Sequence, residues 1–179
     1  MLQRQGPTGG GGGASDNQPP VIYTVPEGAP VSEVIFTGLD IIEDEVYTLE
    51  FDVTGLNGDT ILPLLFINGD NNAADYKGNA FGSSPDVGGY HGGNSALPVC
   101  MLMGGSCPSQ ATIQVHLLAA SRTPYWNGQG QTTYSGFTPM TVAASGSLTV
   151  PQENITSLRL YFSEDGIAPG SVIKLWKGR

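Results

Sequence analysis

Apolar residues in this chain recur at every second position, in one segment after another. Tyr47, Leu49, Phe51 and Val53 alternate with Thr48, Glu50 and Asp52, and Ile113, Val115 and Leu117 with Thr112, Gln114 and His116. Leu158, Leu160 and Phe162 alternate with Arg159 and Tyr161, and Ile173 and Leu175 with Lys174 and Trp176. Successive side chains of an extended strand point to opposite faces, so the pattern makes one face apolar and the other wet. Apolar residues nowhere recur at helical spacing over three turns. Between the segments stand turn-forming clusters, Asn57-Gly58-Asp59, Asn68-Gly69-Asp70, Asp165-Gly166 and Pro169-Gly170. The pattern predicts an all-β fold, an antiparallel sandwich or jelly roll. Within it, the apolar run Ile61 to Ile67 suits a strand covered on both faces, with Pro63 marking a sheet edge or a bulge.

The 179 residues suffice for one domain. Residues 21–179 are expected to form the β domain, behind an extended glycine-rich N-terminal arm over residues 1–20. The arm contains the run Gly9, Gly10, Gly11, Gly12 and Gly13. Such a run has nothing to pack and much backbone entropy to lose, so it takes order only from a partner surface. Two further polar, glycine-rich stretches, residues 68–110 and 123–139, are expected to be long loops that carry contacts.

Charge excludes several functions. Only 13% of residues are charged, about half the usual share, and the net charge is −9. An acidic chain without a Lys/Arg cluster repels phosphate backbones, so nucleic acid is not an expected partner. No run of 18 apolar residues is present, so no transmembrane helix and no membrane partner are expected. The N-terminus has no apolar core of a secretory signal. The chain is therefore expected either to stay in the cell that makes it or to leave inside a larger particle.

Catalytic constellations are sparse. The G-x-S-x-G elbow is absent, and nothing brings His91 or His116 near a nucleophile. Cys100 and Cys107 are too few for a four-ligand zinc site unless both histidines join them, and their spacing fits no finger or ribbon. They could close a hairpin disulfide across Gly104-Gly105 or remain reduced, partly buried thiols, the favoured reading. Asp70 with Asp75, and the group Asp40, Glu43, Asp44 and Glu45, are the candidate carboxylate pairs, but turn formation and a solvated acidic loop account for them. Asp70, Asn71, Asn72 and Asp75 could offer oxygen ligands to calcium, without EF-hand spacing. No metal, no cofactor and no enzymatic activity are expected. Among the aromatic residues of the predicted loops, Tyr125, Trp126 and Tyr134 are the candidates for a glycan or subunit contact. The alternative is that such rings plug the ends of the sandwich.

Two stretches carry a resemblance. The first is FTGLDIIEDEVYTLEFDVTGLNGDTILPLLFINGDNNAADY, residues 36–76; the second is ITSLRLYFSEDGIAPGSVIKLWKG, residues 155–178. Together they resemble a recurrent family of small structural proteins of tailed-bacteriophage virions, which join an FTGLD turn, a Y-x-L-E strand and an N-G-D turn to a closing hairpin. The resemblance covers about 65 of the 179 residues. This chain departs from the pattern in its Trp176-Lys177 ending and its polyglycine run. The motifs are structural: Gly38 suits a tight turn before Leu39 packs, and Thr156–Leu160 and Ile173–Leu175 are expected to pair as an antiparallel hairpin about an Asp165-Gly166 turn. The resemblance implies a jelly-roll-like protein made in the host bacterial cytoplasm and built into the virion, with the head surface as the expected place. There it would act as a capsid decoration, or cement, protein that grips the major capsid protein or another virion protein through Arg4 and the glycine arm, as a homo-oligomer such as a trimer. The basic residues Arg4, Lys174, Lys177 and Arg179 either face an acidic capsid surface or are solvated. The alternative role is a head-fibre, tail or baseplate accessory module that binds host surface glycans.

Overall fold

A computed structural model describes residues 18–56, 63–83, 90–95, 108–134, 138–162 and 165–178. Among these residues the alternating segments become eleven strands: β1 (Val21–Thr24), β2 (Glu33–Thr37), β3 (Val46–Thr54), β4 (Leu64–Ile67), β5 (Tyr76–Ser83), β6 (Tyr90–Ser95), β7 (Pro108–Leu118), β8 (Thr123–Tyr134), β9 (Thr138–Leu148), β10 (Ser157–Tyr161) and β11 (Val172–Lys177). A single helical turn, α1 (Ile41–Asp44), and a 3-10 turn (Ala73–Asp75) complete them. The large sheet runs β1-β11-β3-β7-β8-β9-β5-β6 and the small one β2-β10-β4. Every named pairing is antiparallel.

Neither sheet can leave its apolar face wet. The small sheet contributes Val34, Phe36, Leu65, Ile67, Leu158 and Leu160; the large one contributes Leu49, Phe51, Ile113, Val115, Ile173 and Leu175. All twelve are buried in one core, each stabilising the fold by roughly 1.5–3 kcal/mol. The fold is thus a β-sandwich, as the alternation predicts. Pro63 immediately precedes β4, an edge strand of the small sheet, where its missing N–H disturbs no ladder. The buried Tyr76 stands beside β4: its hydroxyl accepts the Ile67 N–H at 3.0 Å and donates to the Asp70 carbonyl at 3.0 Å. Burial pushes the Tyr76 phenol up to about 12, so it keeps the proton this bond needs.

Two expectations are corrected. Thr156–Leu160 and Ile173–Leu175 do not form a hairpin: β10 lies between β2 and β4, whereas β11 lies between β1 and β3 in the opposite sheet. The chain crosses between the sheets at Ile167, which bridges Val31 and Gly55. Alternation fixes which side chains are apolar but not whether two such strands lie side by side or face each other. The stretch 123–139, expected to be a loop, is mostly β8 and the start of β9, at the centre of the large sheet, and 68–110 contains β5 and β6. Glycine there marks crowding. A Cβ on Gly128 would stand 2.7 Å from Ile113 Cγ1, and one on Gly130 would stand 2.6 Å from Ala111 Cβ, so at these two inward positions of β8 there is no room for a side chain.

The motif residues tie the two sheets together at one end. Gly38 takes a φ of +69°, which turns the chain so that Leu39 is buried and its N–H reaches the Thr156 carbonyl at 3.1 Å. Asp40 then caps α1, accepting the Ile42 N–H at 3.1 Å and the Asn154 side-chain amide at 2.9 Å. Asp44 accepts the Tyr47 hydroxyl at 2.7 Å and faces Lys177 Nζ at 3.1 Å. Burial works to raise the Asp44 carboxyl, but the Tyr47 and Lys177 contacts overcome it and hold the group below its ordinary 3.8. The unfolded chain therefore binds this proton more readily. The Asp44 contribution is complete above the ordinary carboxylate value and is lost as pH falls through the lower folded value. Asp44→Asn is expected to cost about 1–2 kcal/mol at neutral pH and to flatten the acid limb of stability. Urea titrations from neutral pH downward measure both effects.

Candidate functional site

Directly paired residues of an antiparallel sheet share a face, so the register alone assembles the outward surface of the large sheet. One row reads Lys174, Glu50, Thr112, Gln129, Ala143 and Phe81 across β11, β3, β7, β8, β9 and β5. The row on one side reads Val172, Asp52, Gln110, Gln131 and Thr141; the row on the other reads Trp176, Thr48, Gln114, Asn127, Ser145 and Asn79. A fourth row holds Val46, His116, Tyr125, Ser147 and Lys77.

Two hollows open on this face. The larger, about 650 Å³, is walled by Glu50, Asp52 and Lys174 at one end and reaches Thr141 at the other, with Gln110, Thr112, Gln129 and Gln131 between. The smaller, about 420 Å³, lies among Lys77, Asn79, Tyr125, Asn127, Ser145 and Ser147. Tyr125 is stacked on His116, with ring centroids 4.9 Å apart and planes inclined by 15°. Burial holds His116 below its ordinary 6.5, so near neutral pH the stack is between uncharged rings. β7, β8 and β9 contain no Asp, Glu, Lys or Arg. Glu50 and Lys174 face each other at 3.9 Å, an exposed pair worth little by itself. The surface is rich in amides and hydroxyls, groups that both donate and accept hydrogen bonds without carrying charge.

Of the candidate contact residues whose side chains are described, Tyr125 lines this face. Trp126 points the other way: it is 1% exposed in the core, against Tyr76 at 6.2 Å, and the expectation that it meets a glycan or subunit is corrected accordingly. The parity of β8 is the reason, since neighbours in a strand cannot share a face. Tyr134 ends β8 opposite Thr138, and its side chain lies outside the described residues. So do Arg4, Gly9 to Gly13, Cys100, Cys107 and the His91 side chain.

The candidate carboxylates have local duties. Asp70 accepts the Asn72 N–H at 2.9 Å, and the Asn72 amide donates to Asp75 at 2.9 Å, which shapes the 3-10 turn. Asp40 and Asp44 serve α1 and its tie to β11. Among the described residues no three His, Cys, Asp or Glu side chains are grouped to hold a metal ion. Sequence reasoning placed Gln114, Thr112 and His116 on a wet face but missed their continuation in Gln129, Gln131 and Thr141. The available signal was the alternation of Asn127, Gln129 and Gln131 with Gly128 and Gly130. Comparison of the chain with family models, curated proteins and solved structures finds no match in any of the three.

Proposed function

We propose that this chain is a non-enzymatic structural protein of a tailed-phage virion, a capsid decoration protein that binds and stabilises the head lattice through residues 1–20. One observation carries the reading: the two stretches that resemble the virion family, far apart in sequence, are bound to each other as one frame. The Asn68 side chain of the first stretch accepts the Thr156 and Ser157 N–H groups of the second at 2.7 and 3.2 Å. Leu39 of the first stretch also donates to the Thr156 carbonyl of the second. The resemblance thus concerns residues that are hydrogen-bonded to one another across the fold, which suits a cementing module. A trimer on the head surface is the assembly this reading favours, and the major capsid protein is its partner.

Residues 1–20 lie ahead of β1, an edge strand of the large sheet. Deleting them is expected to leave the thermal midpoint of the sandwich within a few degrees and to abolish association with heads, measured as copies per particle after sedimentation. Full occupancy by the truncated chain would overturn the role of the arm. The second reading, a head-fibre, tail or baseplate module that binds host glycans, draws support from the amide-lined face of the large sheet and from Tyr125.

A further inference from the structure

We infer that the outward face of the large sheet is a binding groove for a neutral oligosaccharide, laid across β11, β3, β7, β8 and β9. Three independent observations converge on this ligand class, and none depends on where the chain sits in a particle.

The first is chemical. A solvent-facing sheet surface is ordinarily kept wet by Lys and Glu, yet in a chain of net charge −9 the three central strands carry no Asp, Glu, Lys or Arg at all. In their place stand Gln110, Gln129 and Gln131 with Thr112 and Thr141. A carboxamide presents a donor and an acceptor side by side, the complement of two neighbouring sugar hydroxyls. The second is shape. The hollow of about 650 Å³ falls within the size range of small-molecule sites. It crosses five strands, ~19 Å at the ordinary strand spacing, which suits an elongated ligand of several rings. The neighbouring hollow adds Tyr125, whose ring is held by its stack on His116 and can meet the apolar face of a sugar.

The third is charge complementarity. Glu50 and Asp52 stand at one end beside Lys174, and Lys77 stands in the second hollow, so the described charges of the two hollows cancel. A polyanion finds no basic patch here and a polycation no acidic one, whereas an uncharged polyol loses nothing.

The test uses the full chain, titrated with short neutral oligosaccharides of the gluco, galacto, manno and N-acetylhexosamine series, with heparin fragments as the anionic probe. Backbone amide spectra locate any contact. At least one neutral series is expected to shift resonances of β7, β8 and β9. Gln129→Ala and Gln131→Ala together, and Tyr125→Ala alone, are each expected to weaken it by about tenfold or more. Ile35→Ala, on the outer side of the small sheet, is expected to leave affinity unchanged. Gln129 and Gln131 are exposed, so their variants decide the matter even if Tyr125→Ala does not fold. The proposal is overturned if no neutral series binds, if only heparin does, if the shifts map elsewhere, or if affinity survives loss of both glutamines. It is equally overturned if this face becomes protected from hydrogen exchange only against a protein neighbour, with every saccharide leaving it unchanged.

Discussion

Gly146→Val is expected to destabilise the sandwich by ~3 kcal/mol, enough to remove a large part of the stability of an ordinary domain. Gly146 on β9 pairs directly with Trp126 on β8 and with Gly78 on β5. A Cβ built at Gly146 runs into Cζ2 and Cε2 of the Trp126 indole and stands 2.7 Å from the Lys77 carbonyl oxygen. Neither neighbour can give way cheaply. The indole is buried against Tyr76, and the Lys77 carbonyl belongs to the β5 backbone, which is paired with β9 along its length. Ser145→Val, one residue away on the outward face, is the matched control and is expected to change stability by less than about 1 kcal/mol. Urea unfolding midpoints compare the two. In a Trp126→Leu background the penalty for Gly146→Ala should shrink, and a double-mutant cycle would measure that coupling. Equal effects of the valines at 145 and 146 would refute the placement of the indole over this glycine.

The second large effect is expected at Asn68. Its side-chain amide donates to Gln152 Oε1 at 2.9 Å and to the Asn154 carbonyl at 2.6 Å, while its oxygen accepts from Thr156 N, Thr156 Oγ1 and Ser157 N. Its φ of +55° is one that asparagine tolerates better than most residues. Asn68→Ala removes these bonds, leaves backbone N–H groups seeking partners and adds strain, for a cost of about 3–4 kcal/mol. Asn68→Gly relieves the strain but not the loss of bonds, and is expected to fall about 1 kcal/mol short of the alanine variant. Calorimetry of both variants separates the two causes. A glycine variant as stable as the parent would mean that the network contributes nothing.

How far such features could be read beforehand depended on whether they were local. The alternation in β3, β7 and β10 named most of the buried residues, with Leu117 only half-buried and Thr48 buried on the other face, because parity within one strand needs no knowledge of the neighbour. Gly38 and Leu39 were legible for the same reason: a turn glycine followed by an apolar residue is a short-range signal. The separation of β10 and β11 into opposite sheets was not, since a loop that turns back and a loop that changes sheets are written with the same Gly and Pro. β8 was hidden by its glycines, which read as flexibility until Ile113, Ala111 and Trp126 are seen to fill the space beside them. The amide face stayed hidden with it. Its residues belong to strands whose neighbours in space are distant in sequence, so no spacing rule could gather them.

The freedom of β7, β8 and β9 from carboxylates and amines has a consequence for how the molecule meets changing surroundings. The ion pairs Glu33–Arg159, Glu50–Lys174 and Asp44–Lys177 all lie on other elements. Ionic strength and acidity therefore act on the periphery, while the middle of the large sheet, His116 excepted, is electrically silent. A contact made there would hold equally well in fresh water and in brine.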